Sequence, residues 1–435
     1  MTTAPLWRGR ALAVIGILLC AFSLRTAVAS LSPVTELIAA DFPLTSAVLG
    51  FIGTLPPACF VVFGLLTPVL EHRMGLERTT LVALVAITAG LGLRGFVGES
   101  TGLVLATALV FAGVGMGNIL MPPLVKKHFP DRIGLMMTLY TTAMALATFV
   151  PPLVAVPLAD AAGWRFSLTL WAAFAVAGII PWIVMLSRRT PAPEPVQDAW
   201  DAEGPSAEQA AASDPADFTA TGPIGTPTAN RSLFVRLARI PLVWALSLTF
   251  GTSATMAYVA FAWLPAIMVD VAGVDAATAG LMLSVFAFVG LPSSLLIPVL
   301  VVRFQATRPL FLVGALGGAA GIAGLLTLPV SGLVWVWVVL FGLVGVLFPL
   351  SLVLISIRSR THESAVLLSS FVQSAGYVMA AIFPVLFGVL HDATGGWTVP
   401  LIVLAALLIA AIPTGMMAGR RRTVEDEWER RHGAW

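Results

Sequence analysis

"ALAVIGILLCAFSLRTAVASLSPV", residues 11 to 34, is an apolar run interrupted by a single charge, Arg25. At 1.5 Å of rise per residue, a helix of this length crosses the ~30 Å hydrocarbon core of a bilayer. Its start has the look of a secretory leader, with Arg8 and Arg10 ahead of the apolar stretch and Ala27-Val28-Ala29 in the place of a cleavage site. The apolar character continues past Ala29 to Ala40, however, and many similar runs follow, so the segment is read as an uncleaved first span.

The whole chain agrees. Its 435 residues are 58% hydrophobic and 11% charged, with a mean hydropathy of +0.95, outside the range of soluble globular domains. This is the composition of an integral membrane protein. A net charge of +2 gives no ground for a nucleic-acid partner. The two cysteines, Cys20 and Cys59, both fall in apolar runs and read as packing residues rather than a disulfide.

Runs of about 20 apolar residues bounded by charges, prolines or glycines predict twelve spans. They cover residues 10–38, 45–70, 79–97, 101–125, 133–158 and 164–187, then 236–268, 275–301, 308–329, 332–357, 364–390 and 396–418. With both termini in the cytoplasm, 21 of the 24 Lys and Arg lie on the inner side; Arg94 and Arg165 lie outside and Arg25 is embedded. The reverse orientation would violate the positive-inside rule at nearly every loop. Between the two sets of six spans, residues 188–235 contain a Pro-, Ala- and Thr-rich stretch with seven acidic and no basic residues between Arg189 and Arg231, the composition of a flexible linker. The division expected is therefore a bundle over 1–187, a linker over 188–235, a second bundle over 236–418 and a solvated, surface-attracted cytoplasmic tail over 419–435.

The halves also echo each other. Pro151 and Gly163-Trp164 recur as Pro384 and Gly396-Trp397 at an offset of 233, and Pro33 recurs as Pro265 at 232. The expectation is an all-α fold of twelve transmembrane helices in two pseudo-symmetric six-helix bundles, with a substrate site near the midplane between them.

Arg25 sits some 20 Å along its helix, near mid-bilayer. A guanidinium there costs about 2.5 to 3.5 kcal/mol on insertion scales, so it is expected to face an interior cavity, where its planar donor fork suits a carboxylate-like group. All three tyrosines, Tyr140, Tyr258 and Tyr377, fall in predicted spans, as do Asn118 and Gln373. Gln373 and Tyr377 share a helix face, as do Tyr140 and Met144, and the offset of 233 maps one pair onto the other and Arg25 onto Tyr258. These seven residues form the candidate substrate site. Near outer helix ends, Trp263 could cap a cavity but reads more readily as part of the aromatic belt, and Arg94 reads as a snorkelling interface residue. The glycines and prolines of spans 2, 4 and 10 permit close packing and bending. No carboxylate falls clearly at mid-membrane; Glu36, three turns beyond Arg25, is the remaining candidate for coupling to protons. His391 beside Asp392 reads as a solvated loop pair.

"GNILMPPLVKKHFPDRIGLMMTLYTTAM" (117–144), "LRTAVASLSPV" (24–34), "GLERTTL" (75–81) and "LSSFVQSAGYVMAAIFPVLFGVLHDATGGW" (368–397) resemble the cyanate/2-nitroimidazole (CynX/NimT) transporter family of the major facilitator superfamily. The resemblance covers nearly all of the chain except the linker and tail. It implies a monomeric carrier of small, often nitrogen-rich solutes in a bacterial inner membrane, working by alternating access, with polar cavity positions at Arg25, Asn118, Tyr140, Gln373 and Tyr377. The superfamily's loop signature departs here: Pro68 stands where an Asp is usual, and Gly75-Leu76-Glu77-Arg78 keeps only the basic end, which places its charge latch in doubt.

Three function classes follow. The first is a secondary transporter of a small polar or anionic solute, cyanate-like or nitroimidazole-like, with Arg25 as central contact and the bilayer as its setting; export of neutral small aromatics is the alternative within it. The second is a membrane enzyme, which the absence of an embedded His cluster, an HExxH or a nucleophile and base pair argues against. The third is a non-transporting receptor on the same fold. No cofactor or metal is expected.

Overall fold

The computed structural model describes residues 10–129, 132–187, 231–330, 332–360 and 362–432. Among them are twelve helical segments long and apolar enough to cross a membrane: Ala11–Ala39, Ser46–Phe63, Leu76–Arg94, Ser100–His128, Thr138–Ala162 and Trp164–Ser187 (spans 1 to 6), then Pro241–Ala272, Ala276–Ile297, Thr307–Thr327, Val334–Ile355, Leu367–Thr394 and Thr398–Ala418 (spans 7 to 12). An even number of crossings puts residues 10 and 432 on one side, here the terminal face; the opposite side is the far face. Leucines, valines and isoleucines are exposed along the outer surface of the spans. Such a surface suits lipid, where only segments with all backbone groups bonded internally persist.

Local sequence sets the ends of the helices. Span 7 starts at Pro241 after an extended Ile240, five residues later than expected, because Pro has no N–H to give and fits the first turn. A separate short helix, Arg231–Ala238, precedes it. The rest of the acidic linker, residues 188–230, lies outside the described residues. Span 1 is a continuous helix only over Ala11–Ala29; Pro33 then opens a tight 3-10 turn, Ser32–Val34, and Thr35–Ala39 completes the crossing. Span 10 changes to a 3-10 turn at Leu343–Val346, inside the glycine-rich stretch expected to bend. Spans 2 and 4 carry their paired prolines within unbroken helices.

The two halves repeat each other in detail. Thr45 caps span 2 through the Val48 N–H and Asp275 caps span 8 through the Thr278 N–H, each at 3.3 Å. Gly163 and Gly395, at φ +86° and +67°, turn the chain into spans 6 and 12 in the left-handed region that glycine enters without penalty. Just beyond those turns, Trp164 Nε1 donates to Asp41 at 3.0 Å and Trp397 Nε1 to Asp270 at 2.7 Å, tying the end of span 1 or 7 to the start of span 6 or 12. The apolar cores are separate: one cluster draws its buried residues from Leu237 to Trp428, and the other two from Ala13 to Trp182. This is the expected arrangement of two pseudo-symmetric six-helix bundles.

On the terminal face Glu77 pairs with Lys127 at 2.6 Å and His128 at 3.2 Å. A charge latch between spans 3 and 4 thus exists, with partners other than those of the usual loop signature. The tail corrects a second expectation. Val424–His432 is a helix whose Val424, Glu425 and Trp428 are buried against the second bundle. Glu425 accepts from the Arg360 N–H at 3.0 Å and from the Ser364 hydroxyl, while the Arg360 guanidinium pairs with Asp426 and Glu429. Val424 and Trp428, four residues apart, supply the apolar stripe that docks it.

The bundles approach each other most closely toward the far face. There Gly50 lies so near span 11 that a Cβ would stand 2.8 Å from the Pro384 carbonyl oxygen, and Gly280 lies equally close, at 2.7 Å, to that of Pro152. The Thr54 hydroxyl donates to the Ala381 carbonyl at 2.6 Å across the same seam. Close backbone approach at small residues is how helices associate without a hydrophobic drive between them.

Candidate functional site between the bundles

Arg25 is half-buried between buried Leu24 and Thr26. Its guanidinium lies close enough to the Tyr258 side chain of span 7 and to Tyr377 of span 11 for its charge to act on both. Arg25 and Tyr258, equivalent positions of the two halves, thus meet across the pseudo-axis. Phe60 of span 2 completes the group, its ring 6.2 Å from Tyr258 and 5.5 Å from Tyr377, both edge to face; the two tyrosine rings stand 6.5 Å apart. Phe250 meets Tyr377 edge-on from behind at 5.1 Å. T-shaped pairs of this kind hold their rings at fixed angles, worth about 0.5 to 1.5 kcal/mol each beyond burial.

The arrangement offers a solute two things. A guanidinium with five N–H groups, set beside Tyr258, can donate in a fork to a carboxylate or a nitro group. Ring faces and edges beside it can pack against one side of a small planar body. Toward the far face the space beside the group is narrow: the crevice lined by Ala27, Ser32, Ile52, Pro56 and Tyr258 has a volume of about 30 Å³, room for about one water.

The other expected residues are placed differently. Asn118 Nδ2 donates to the Val114 carbonyl at 3.0 Å and Gln373 Nε2 to the Ser369 hydroxyl at 2.7 Å, so each amide spends a donor within its own helix. Both remain half-exposed. Tyr140 is buried in the core of the first bundle with Met144 packed against the same cluster. Glu36 is exposed at the far end, in the short helix that ends span 1. The structure thus brings Arg25, Tyr258 and Tyr377 together and adds Phe60, which the sequence did not single out among 24 phenylalanines.

Arg94 and Trp263 are corrections. Arg94 is 0% exposed. Its Nε donates to the Thr107 hydroxyl at 3.1 Å and its Nη1 to the Ala27 carbonyl at 3.2 Å, with the guanidinium 5.7 Å from the centre of the Phe111 ring. Span 3 ends at Arg94, and the side chain turns inward to cap the carbonyl end of the broken span 1, where positive charge is favoured. Trp263 is likewise interior, donating to the Pro384 carbonyl at 3.0 Å. His391 lies in the last turn of the helix His362–Thr394, its ring 4.1 Å from that of Trp397 and its Nδ1 3.3 Å from Asp392.

Residues 17–384 match the model of the Major Facilitator Superfamily. The chain belongs to that superfamily. Among curated proteins it is 32% identical to the uncharacterized transporter YycB of Bacillus subtilis (strain 168), over 97% of this chain and 96% of that one. It is 29% identical to the 2-nitroimidazole transporter of Escherichia coli (strain K12), over 96% and 98% of the two chains, and 24% identical to the cyanate transport protein CynX of the same organism, over 88% and 90%. Among solved structures it superposes on a bacterial homologue of the human lysosomal transporter Spinster, crystallised inward-facing and unoccupied, with a TM-score of 0.71 at 15% identity, covering 96% and 98% of the chains. The protein is a Major Facilitator Superfamily transporter, similar to these relatives over nearly its whole length.

Proposed function

We infer that the transporter carries a small, planar, polar or anionic solute, bound between the bundles with Arg25 as its principal contact. The observation that carries this is the junction itself: one mid-membrane cation and three aromatic rings, contributed by spans 1, 2, 7 and 11, meet where a rocking motion of the halves would gate them. Relatives named for a nitroimidazole and for cyanate support a solute of this chemistry. A nitro-substituted azole fits best, because it presents paired oxygens to the guanidinium and a flat ring to Phe60, Tyr258 and Tyr377; half-exposed Asn118 and Gln373 extend the pocket along spans 4 and 11.

The cycle is alternating access. The far-face seal at Gly50, Gly280 and Thr54 opens as the terminal side closes, with the solute passing Arg25. The monomer works in a bacterial inner membrane with both termini cytoplasmic, as the distribution of basic residues favours. Glu36, three helical turns beyond Arg25, is the proposed proton-coupling group. A melting-temperature screen of purified protein against 2-nitroimidazole, cyanate, benzoate and neutral azoles tests the reading, since a bound solute stabilises the fold by mass action. Stabilisation by 2-nitroimidazole above unsubstituted imidazole is expected; a response to neither planar polar compounds nor small anions rejects it.

A further inference from the structure

A second basic site lies on the terminal face, in the second bundle and far along the chain from Arg25. A cavity of about 300 Å³ is lined by Arg358, Arg421, Arg422, Gln305 and Thr423, with Val301 and Ile357 as its apolar wall. Arg358 ends the span 10 helix and is only 7% exposed. Its Nε donates to the Ala418 carbonyl at the end of span 12, at 3.2 Å, and among the described residues the two terminal nitrogens of the fork find no acceptor.

Charge accounting around this cavity does not close. Of the neighbouring acids, Asp426 and Glu429 pair with Arg360 and Asp426 also accepts from the Thr423 N–H, while Glu425 bonds only neutral donors, the Arg360 N–H and Ser364, and offsets at most one of the three remaining guanidinium charges. Arg360, one helix turn from the cavity, is thereby neutralised. Among the described residues, Arg358, Arg421 and Arg422 form no ion pair with a carboxylate. Burial, and after it the charge of Arg421, pulls the Arg358 guanidinium below its ordinary value, as expected where like charges meet with nothing between them.

We propose that this cavity binds a phosphate group, held by the guanidinium groups of Arg358, Arg421 and Arg422. Planar guanidinium forks match phosphate oxygens in pairs, and a nearly buried one without an acceptor has most to gain from such a ligand. The volume exceeds the ~30 Å³ share of one water about tenfold, room for a phosphate with a small substituent. The shared chemistry is a phosphoryl oxygen cluster, whose source is either an anionic lipid headgroup from the surrounding leaflet or a free phosphate from the aqueous side.

The test uses the full chain. Native mass spectrometry of the protein from nanodiscs of phosphatidylcholine, with and without phosphatidylglycerol, reads retained lipid; melting in neutral detergent, with inorganic phosphate against chloride at equal ionic strength, reads the soluble source. Arg421→Ala combined with Arg422→Ala is expected to lower the retained phosphatidylglycerol, or the apparent phosphate affinity, about tenfold or more. Arg430→Ala, an exposed charge on the same tail outside the cavity, changes it less than about threefold. Lipid retention alone identifies the headgroup as ligand, and a phosphate shift alone identifies the soluble ion. Equal losses in the double variant and in Arg430→Ala reduce the effect to diffuse surface charge and overturn the proposal, as does the absence of both signals in wild type. Arg358→Gln should abolish either signal; should that variant not fold, the exposed double variant decides.

Discussion

Arg25 and Arg94 are both arginines in the membrane, yet they do opposite things. Arg94 is fully buried and spends its donors on Thr107 and Ala27, all within the first bundle. Arg25, two residues from Ala27 in sequence, is half-exposed and reaches across to the second bundle. A guanidinium whose partners belong to one rigid unit holds that unit together. One whose partner lies across a seam between units becomes available each time the seam moves. The proximity is also a connection, since Arg94 fixes the carbonyl end of the same helix that presents Arg25.

The comparison breaks most easily at Arg94. Arg94→Met should lower the unfolding free energy by on the order of 2 to 3 kcal/mol, because it removes a buried cationic donor from two acceptors. The folded fraction should keep wild-type solute affinity, and calorimetric melting alongside a binding isotherm checks both. Equal affinity loss in Arg94→Met and Arg25→Met would erase the distinction. Phe60→Ala should behave in the reverse sense, weakening solute binding by about 0.5 to 1.5 kcal/mol, roughly two- to tenfold, through lost edge-to-face contact, with little change in melting.

A third arginine sharpens the comparison at the exposed end. Asp426, paired with Arg360 and with the Thr423 N–H, has its carboxyl held down to about 2 from an ordinary 3.8, first by the backbone N–H and then by the guanidinium. A lowered carboxylate stabilises the docked tail above its unfolded value and loses that contribution as pH falls through the folded one. The tail helix should therefore stay docked at neutral pH and release as pH falls from about 4 toward about 2. A spin label at Arg430→Cys should report this as a gain in mobility; mobility that is constant across the window contradicts it.

Much of this was legible in the sequence. Hydropathy locates spans because each must supply about 20 apolar residues, and the offset of 233 pairs Arg25 with Tyr258 before any coordinate is known. Other features were hidden for physical reasons. At a helix end a single turn of rotation separates snorkelling from capping, so the position of Arg94 in the sequence does not reveal its direction. Phe60 is chemically indistinct among apolar neighbours, and only tertiary contact marks it. The tail helix hid behind its charge: Val424 and Trp428 form a stripe too short to register in a segment dominated by Arg and Glu. The arginine cavity assembles from the ends of spans 8, 10 and 12, which no local pattern joins.

The central claim is that Arg25 contacts the solute by directed hydrogen bonds as well as charge. Uptake of labelled 2-nitroimidazole by counterflow in proteoliposomes, compared for wild type, Arg25→Lys and Arg25→Ala at matched folded protein, addresses it directly. At least a tenfold loss is expected in Arg25→Lys, which keeps the charge without the planar fork, and a larger loss in Arg25→Ala. Transport by Arg25→Ala at the wild-type rate would contradict it.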